Sequence, residues 1–325
     1  MLRTTLNRDN FCWTNLAPLA ALATVLVLCL PVLSTAQQPG QKTFSSAEEA
    51  SNAMVKAAQS NDEAALLSIL GADGKQIVSS GDETEDNQSR ANFVQKYQEM
   101  HRLVKEPDGT TVLYIGAENW PTPIPLVNKG QAWYFDTEAG KKEILFRRIG
   151  RNEISSLRVC QELVAAQKEY SAAGNNEYAQ KIFSDKDQHN GLYWKAANGE
   201  PPSPVGPLVA LAAAKDHTNE QEATPYRGYY YRLLTRQGKD ASGGAKSYVV
   251  DGKMTGGFAF VAYPAEYRSS GVMTFMVGQD GVVYQKDLGK KTETLVTAMT
   301  EYNPDASWQK AEVPQEEAAE GEVGK

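Results

Sequence analysis

Beyond residue 40 the chain first carries apolar side chains at helical spacing. Ser45 or Ser46 is placed to cap a helix, because a glutamate follows each serine three residues later, as in a capping box. The apolar positions of this helix are Ala50, Ala53, Met54, Ala57 and Ala58. The same spacing predicts a second helix over 62–70 and a third over 90–103. The acidic run 81–86 between them predicts a solvated loop.

The pattern then changes to alternation, which is typical of strands. Residues 111–115 alternate and are rich in β-branched and aromatic side chains. Three prolines within 120–125 exclude a helix or a central strand, because proline fixes φ and removes a hydrogen-bond donor. Residues 131–135 and 143–148 predict two further strands joined by a turn. The first part of the chain is therefore expected to hold helices followed by a small antiparallel sheet.

The second part begins with the longest amphipathic pattern, which predicts a helix over 152–173 that Gly174 stops. Asp280 and Gly281 predict a hairpin turn, because this dipeptide accepts positive φ. The other predicted elements are short helices at 208–215 and 295–299 and strands at 228–235, 247–251, 257–263, 272–277 and 282–286.

These patterns predict an α+β protein with two globular domains. The N-terminal domain covers 41–150, and the C-terminal domain, a long helix with an antiparallel sheet, covers 151–310. The acidic, aromatic-free tail at 311–325 is predicted to be disordered.

The first 36 residues have the pattern of a secretory signal peptide. Arg3 and Arg8 supply positive charge, residues 16–33 are almost wholly apolar, and small residues occupy the cleavage site at 34–36. The alternative is an anchor that stays on the protein, which needs about 20 apolar residues. Two prolines in the run shorten the usable helix. We predict cleavage, a periplasmic or extracellular location, and no membrane span in the remaining chain.

Charge and cysteine content narrow the function classes. The net charge is −7, and no basic patch is interleaved with aromatic residues, so a nucleic-acid partner is not expected. Of the three cysteines, Cys160 alone lies beyond the predicted signal peptide, which excludes an intramolecular disulfide in the mature chain. Its apolar helical neighbours predict a small buried side chain.

Several blocks in order along the chain resemble the DUF2950 family of exported bacterial proteins of unknown function. These blocks are 133–136, Glu143-Ile144, 147–153, 191–194 and 248–288. The resemblance implies a family but no activity, because none is assigned to it. The second part is also similar, more weakly, to the globular domains of type II secretion pseudopilins, through the helix ending near Tyr170, residues 177–179 and 278–281. This similarity implies a pilin-like sheet.

One loop could hold a cation. Asp185 and Asp187 begin a run with oxygen or nitrogen side chains at alternate positions, as in calcium loops. Position six is Asn190 and position twelve is Ala196, where an EF-hand loop has glycine and glutamate. A polar turn is the main interpretation, and calcium is the alternative; no other cofactor is expected.

Clustered aromatic residues suggest binding. Tyrosine and tryptophan combine apolar area with a hydrogen-bonding group, which suits grooves and interfaces. The candidate binding residues are Trp120, Trp133, Tyr193, Trp194 and Tyr230. Core packing is the competing interpretation, and successive tyrosines on the strand at 229–231 must face opposite sides.

Catalytic signatures are weak in this sequence. His101, His189 and His217 form no zinc-binding spacing. Ser307 and Lys310 match S-x-x-K without its companion motifs, which indicates chance. We therefore predict a non-enzymatic envelope protein that binds another envelope protein, a peptide or a glycan. The alternatives are a hydrolase with a dispersed active site and a calcium-dependent structural protein.

Overall fold

The computed structural model describes residues 37–174, 176–213 and 223–313. The predicted signal peptide, residues 314–325 of the predicted tail and His217 lie outside the described residues. Within these ranges, no helix has the length and apolar character needed to cross a membrane.

The first part of the protein combines four helices with an antiparallel sheet. The helices are α1 (Ala47–Gln59), α2 (Glu63–Leu70), α3 (Lys75–Val78) and α4 (Glu83–Glu99). The strands are β1 (His101–Lys105), β2 (Thr111–Ile115), β3 (Trp120–Pro121), β4 (Leu126–Lys129) and β5 (Ala132–Phe135). Their order is β1-β2-β4-β5, with β3 paired to β2. Ser46 caps α1 by accepting from the Glu49 backbone N at 3.0 Å, as the capping-box spacing predicted.

The helix α4 occupies a different range from the prediction. The Asp82 carboxylate accepts from the backbone N of Thr84 at 2.9 Å and of Glu85 at 3.2 Å, which starts the helix. The acidic run 81–86 therefore forms the cap and first turn of α4, where the helix dipole stabilises negative charge. The predicted loop was wrong. Leu103, placed on the helix by its spacing, belongs to β1.

The main error of the sequence prediction concerns residues 137–150. A single helix, α5 (Thr137–Ala173), replaces the predicted turn, the strand at 143–148 and the later helix start at 152. Asp136 caps it by accepting from the Ala139 backbone N at 3.0 Å. Glu143 pairs with Arg147 at 2.7 Å, an i,i+4 contact that supports a helix. The short apolar run at 144–146 was misleading, because none of the side chains at 143–148 is buried.

The second part is built on α5 and a five-stranded antiparallel sheet. Its elements are α6 (Pro207–Ala213), β6 (Tyr229–Leu234), β7 (Arg236–Gln237), β8 (Lys246–Ser247), β9 (Val249–Val250), β10 (Lys253–Met254), β11 (Ala259–Pro264), β12 (Met273–Gly278), β13 (Val283–Asp287), α7 (Thr292–Thr297) and β14 (Gln309–Lys310). The sheet order is β14-β13-β12-β11-β6. The predicted hairpin joins β12 to β13, and Gly281 has φ 76° there.

Buried side chains of the described residues form three groups. The first core and a smaller group beside it are built from residues between 44 and 135, and the second core from residues between 157 and 308. The structure confirms the α+β class, with helices before a small sheet and a long helix before an antiparallel sheet. The predicted domain boundary near residue 150 lies inside α5, and the division into 41–150 and 151–310 stays a prediction.

Candidate functional site

A cavity of about 510 Å³ lies in the first part of the protein. Side chains from α1 to α4, from β2, β3 and β5, and from the proline-rich segment after β3 line it. Most of its walls are apolar, and the principal lining side chains include Leu66, Leu70, Phe93, Leu113, Ile115 and Phe135. The volume falls within the range of roughly 300–1,000 Å³ that small-molecule sites occupy.

One face of α4 contributes several polar side chains to the cavity wall. Asp86, Ser89, Arg90 and Phe93 lie three or four positions apart, and all four line the cavity. The same helix buries Val94 in the core. Helical spacing therefore places a carboxylate, a hydroxyl, a guanidinium and an aromatic ring along a single wall.

The proline-rich segment 121–125 supplies another wall and is held by backbone hydrogen bonds near both of its ends. The Thr122 backbone N donates to the Leu113 carbonyl at 2.8 Å, which ties the segment to β2. The Asp136 backbone N donates to the Pro125 carbonyl at 2.8 Å, which ties it to the start of α5. Thr122, Pro123 and Ile124 therefore face the cavity from a segment that cannot pair as a regular strand.

A side chain of α5 holds the solvent-exposed start of the proline-rich segment. Arg147 Nη1 donates to the Pro121 carbonyl at 2.7 Å, and the guanidinium carbon lies 5.5 Å from the centre of the Trp120 ring. Trp120 lines the cavity yet is 53% exposed, so the cavity opens to solvent beside it. A cation above an aromatic face is stabilising, so Arg147 holds the ring in place.

Two residues that line the cavity each hold a buried polar atom without a hydrogen-bond partner within the described residues. These atoms are Arg90 Nε and Thr122 Oγ1. The other guanidinium nitrogens of Arg90 are occupied, with Nη2 donating to the Val78 carbonyl at 3.0 Å and Nη1 to Asn87 Oδ1 at 3.2 Å. Buried polar groups in native proteins are nearly always paired, so these two atoms require an explanation.

Charges at the cavity are acidic on balance. Glu85, Asp86 and Arg90 are its ionisable lining residues. The backbone and side-chain hydrogen bonds from Ser80, followed by that from Ser79 and the nearby Arg90, lower the pKa of Asp86. Asp86 is therefore an anion at neutral pH beside the Arg90 guanidinium.

Sequence reasoning selected one residue of this cavity, Trp120. Trp133 instead lies on β5, where its backbone N and O pair with those of Phe44 at 2.8 Å each, and its ring packs on the first core. Arg90 and Thr122 were missed. Arg90 lies three residues before the apolar Phe93 on a mainly polar helix, and Thr122 lies between prolines, so neither pattern distinguishes them from surface residues.

The remaining predicted aromatic residues lie in the second part. Tyr193 contacts the ring of Phe183 edge-on at 5.3 Å between centroids, and Trp194 stacks on His189 at 4.4 Å. Tyr230 lies on β6 with its centroid 5.7 Å from that of Tyr263. A shared aromatic binding surface stays a prediction.

The strand at 229–231 follows the predicted alternation. Tyr229 and Tyr231 are buried, whereas Tyr230 is half-buried. This alternation of burial confirms that neighbouring side chains on the strand face opposite sides of the sheet.

The loop at 185–190 is organised by hydrogen bonds. Asp185 Oδ2 accepts from Lys181 Nζ at 2.5 Å and from Asn190 Nδ2 at 2.8 Å. Asp187 has φ 59°, which aspartate tolerates in turns. No group of three or more His, Cys, Asp or Glu side chains suited to a metal occurs in the described ranges. Calcium binding by Asp185 and Asp187 stays a prediction.

Ser307 has a lysine beside it, although not the one in its S-x-x-K pattern. Lys286 Nζ donates to Ser307 Oγ at 2.6 Å, and the serine hydroxyl donates to Asp305 Oδ1. The serine proton is therefore directed to a carboxylate, and the lysine acts as a donor rather than a base.

Among the histidines, His101 stacks on Tyr97 at 3.8 Å between centroids. A dispersed hydrolytic site stays a prediction.

Cys160 is completely buried, as its apolar neighbours predicted. Burial raises the pKa of the Cys160 thiol to about 12, so the thiol is protonated and unreactive at neutral pH.

Comparison with protein families gives one match that covers most of the chain. The family described as "Protein of unknown function (DUF2950)" matches residues 41–311. No curated protein and no solved structure matches the chain, so the similarity to pseudopilins stays a prediction. The match spans the cavity, α5 and the second sheet. The chain belongs to the DUF2950 family.

Proposed function

We propose that this protein is an exported binding protein of the cell envelope that holds a small, largely apolar molecule in the cavity of its first part. The observation that carries the proposal is the cavity of about 510 Å³, whose largely apolar walls also include the polar residues Asp86, Ser89 and Arg90. Binding pockets characteristically combine apolar walls with a few placed polar groups.

The cavity walls belong to a well-packed frame. Buried Gln41 donates through Nε2 to the carbonyl oxygens of Ile69 at 3.0 Å and Phe135 at 2.8 Å. Thr137 Oγ1 donates to the Leu70 carbonyl at 2.6 Å. These bonds occupy carbonyls at the end of α2 and β5, so the apolar walls are fixed before any ligand enters. A preformed site lowers the entropic cost of binding.

Export is supported by the sequence of residues 1–36, with its positive start, apolar run and small residues at the cleavage site. Expression of the full chain in a bacterial host, followed by fractionation and intact-mass measurement, tests it. We expect the periplasmic or secreted form to begin at Gln37. A full-length chain in the membrane would support the anchor, and a full-length chain in the cytoplasm would contradict export.

Ligand binding is tested on the exported, purified chain with N-phenyl-1-naphthylamine, an uncharged dye that fluoresces in apolar sites. We expect saturable binding of one dye per chain. Ser89→Phe blocks the cavity, because Ser89 is an exposed lining residue, and it should weaken binding by roughly tenfold or more.

The matched control is Gln88→Phe, the same new side chain at the preceding exposed position of α4, which does not line the cavity. This variant should bind the dye like the unmodified protein. Both variants should keep the melting temperature. Absence of saturable binding, or equal binding by the two variants, would contradict a ligand site in this cavity.

A further inference from the structure

We infer that Asn198 is a site of spontaneous deamidation, a covalent modification from which the fold protects Asn190. The sequence contains two Asn-Gly pairs, Asn190-Gly191 and Asn198-Gly199. Glycine after asparagine favours the reaction, because the attacking backbone nitrogen belongs to a residue without a Cβ and with wide conformational freedom. The two pairs are equivalent by this local criterion, so the tertiary structure distinguishes them. The inference concerns the second part of the protein and is independent of the cavity.

The modification needs water as its single co-reactant. The Gly199 backbone N attacks the carbonyl carbon of the Asn198 side chain, and a new C–N bond closes a cyclic imide. The side-chain nitrogen leaves as ammonia, taking up the proton that the Gly199 N loses. Water then opens the imide at either of its carbonyl groups. The product is aspartate or isoaspartate, and its carboxylate is ionised at neutral pH.

Both reacting groups are accessible at the second pair. Asn198 and Gly199 are exposed, and an added Cβ at Gly199 would meet no atom within 4 Å. The flanking residues hold the turn, because the Glu200 backbone N donates to the Ala197 carbonyl at 3.1 Å and Glu200 Oε2 accepts from the Ala197 backbone N at 2.9 Å. Within the described ranges, neither the Gly199 backbone N nor the Asn198 side chain has a hydrogen-bond partner.

The same two groups are occupied at the first pair. The Gly191 backbone N donates to Ser184 Oγ at 3.0 Å. Asn190 Nδ2 donates to Asp185 Oδ2 and Gln188 Oε1 at 2.8 Å each, and Asn190 Oδ1 accepts from the Asp185 backbone N at 2.9 Å. Gly191 is buried, and a Cβ there would lie 2.6 Å from a backbone carbon of the segment packed on it. Deamidation of Asn190 therefore requires a local opening that breaks these bonds.

Isoaspartate would change the contacts of the turn. It inserts an extra carbon into the backbone between residues 198 and 199, so the hydrogen bond that closes the turn at Glu200 cannot keep its geometry. Glu200 Oε2 lies 3.8 Å from His189 Nε2, and the His189 ring stacks on Trp194. Trp194 Nε1 donates to the Pro201 carbonyl at 3.2 Å, just beyond the turn. The modification therefore alters the surroundings of Trp194, a candidate binding residue.

Peptide mapping separates the two sites. Trypsin places Asn190 on peptide 187–195 and Asn198 on peptide 196–215, because lysine precedes and ends each peptide. The purified chain is incubated at pH 8, and mass spectrometry follows the conversion of each amide to an acid. We expect conversion of Asn198 to be roughly tenfold or more faster than that of Asn190 in the folded chain, because several hydrogen bonds protect Asn190. In urea the two rates should become similar.

Two substitutions test the assignment. Ser184→Ala removes the acceptor of the Gly191 N–H, so conversion of Asn190 should accelerate about fivefold, as expected for one hydrogen bond. Conversion of Asn198 on the same chain is the internal control and should not change. Asn198→Gln keeps an amide at the exposed turn, but its longer side chain closes a ring slowly, so peptide 196–215 should keep its mass. Tryptophan emission should change during incubation of the unmodified chain and stay constant in Asn198→Gln.

Conversion of Asn190 at a rate equal to or above that of Asn198 in the folded chain would overturn the inference. An intact peptide 196–215, after a time in which the urea-unfolded chain is converted, would also overturn it. Tryptophan emission that is constant while Asn198 is converted would overturn the effect on Trp194. Faster conversion of Asn198, with the difference lost in urea, would support the site.

Discussion

Two glycines on α5 should respond in opposite directions to the same substitution. Gly140 packs so closely on the cavity wall that an added Cβ would lie 2.7 Å from Ile124 Cγ1 and 3.0 Å from Ile124 Cβ. At Gly150, on the same helix, a Cβ would meet no atom within 4 Å. Gly140→Ala and Gly150→Ala therefore gain the same helix propensity but differ in packing.

The expected sizes follow from these distances. Replacing glycine by alanine within a helix stabilises by about 0.5–1 kcal/mol. Overpacking against a buried wall costs about 1–3 kcal/mol. Gly150→Ala should therefore stabilise by about 0.5–1 kcal/mol, and Gly140→Ala should destabilise by about 0.5–2 kcal/mol. The propensity gain cancels between the two variants, so their difference of about 1–3 kcal/mol measures the contact with Ile124.

Urea unfolding of the purified chain, followed by circular dichroism, measures both free energies. Because Ile124 lines the cavity, Gly140→Ala should also weaken binding of N-phenyl-1-naphthylamine, whereas Gly150→Ala should leave it unchanged. Equal stabilisation by both substitutions would refute the argument, because it would mean that α5 does not press on Ile124 at residue 140.

Three further predictions concern the second core. The fully buried Gln167 side chain accepts from the Ala179 backbone N at 2.9 Å and donates to the Ala179 carbonyl at 2.8 Å. Gln167→Leu should leave both backbone groups unpaired and lower the free energy of unfolding in urea by about 2–4 kcal/mol. The control Gln161→Leu, at an exposed position of the same helix, should change it by under about 0.5 kcal/mol. Cys160 should resist iodoacetamide at pH 8 in the folded protein and react once urea unfolds it, and equal rates in the two states would refute its burial. Burial, followed by the charge of Asp280, raises the pKa of Tyr248 to about 12. The tyrosine therefore loses its proton near pH 10 in the unfolded chain but keeps it in the folded chain, so the free energy of unfolding should fall between about pH 10 and 12. A free energy of unfolding that does not change across this window would contradict the raised pKa.

Local sequence signals determined much of the secondary structure. The capping serine of α1, the alternation of β2 and the Asp-Gly turn between β12 and β13 act over a few residues. The end of α5 at Gly174 was also predicted from the sequence, because glycine ends a helix at low steric cost. Burial of Cys160 followed from its apolar neighbours at helical spacing. The caps, the turn and the strand alternation need no tertiary partner, whereas the burial of Cys160 is completed by the second core.

The start of α5 shows where local signals conflict. Residues 143–148 contain a short apolar run between charged residues, and Gly140 lies where a turn would suit it, so a hairpin was the natural prediction. The structure instead uses the Asp136 cap and the Glu143–Arg147 pair, and Gly140 serves close packing on Ile124. A glycine needed for space and a glycine needed for a turn are identical in sequence, so the tertiary contact decided between them.

The candidate site depended on tertiary structure almost entirely. The cavity gathers side chains from seven helices and strands and from the segment after β3, spread between residues 54 and 135. Of its residues, Trp120 was selected from the sequence, because clustered aromatic side chains suggest binding. Arg90 and Thr122 became noticeable through burial without a partner, a property of the folded chain. The sequence determined the α+β class, the family and the predicted export, whereas packing of distant elements decided which side chains line the cavity.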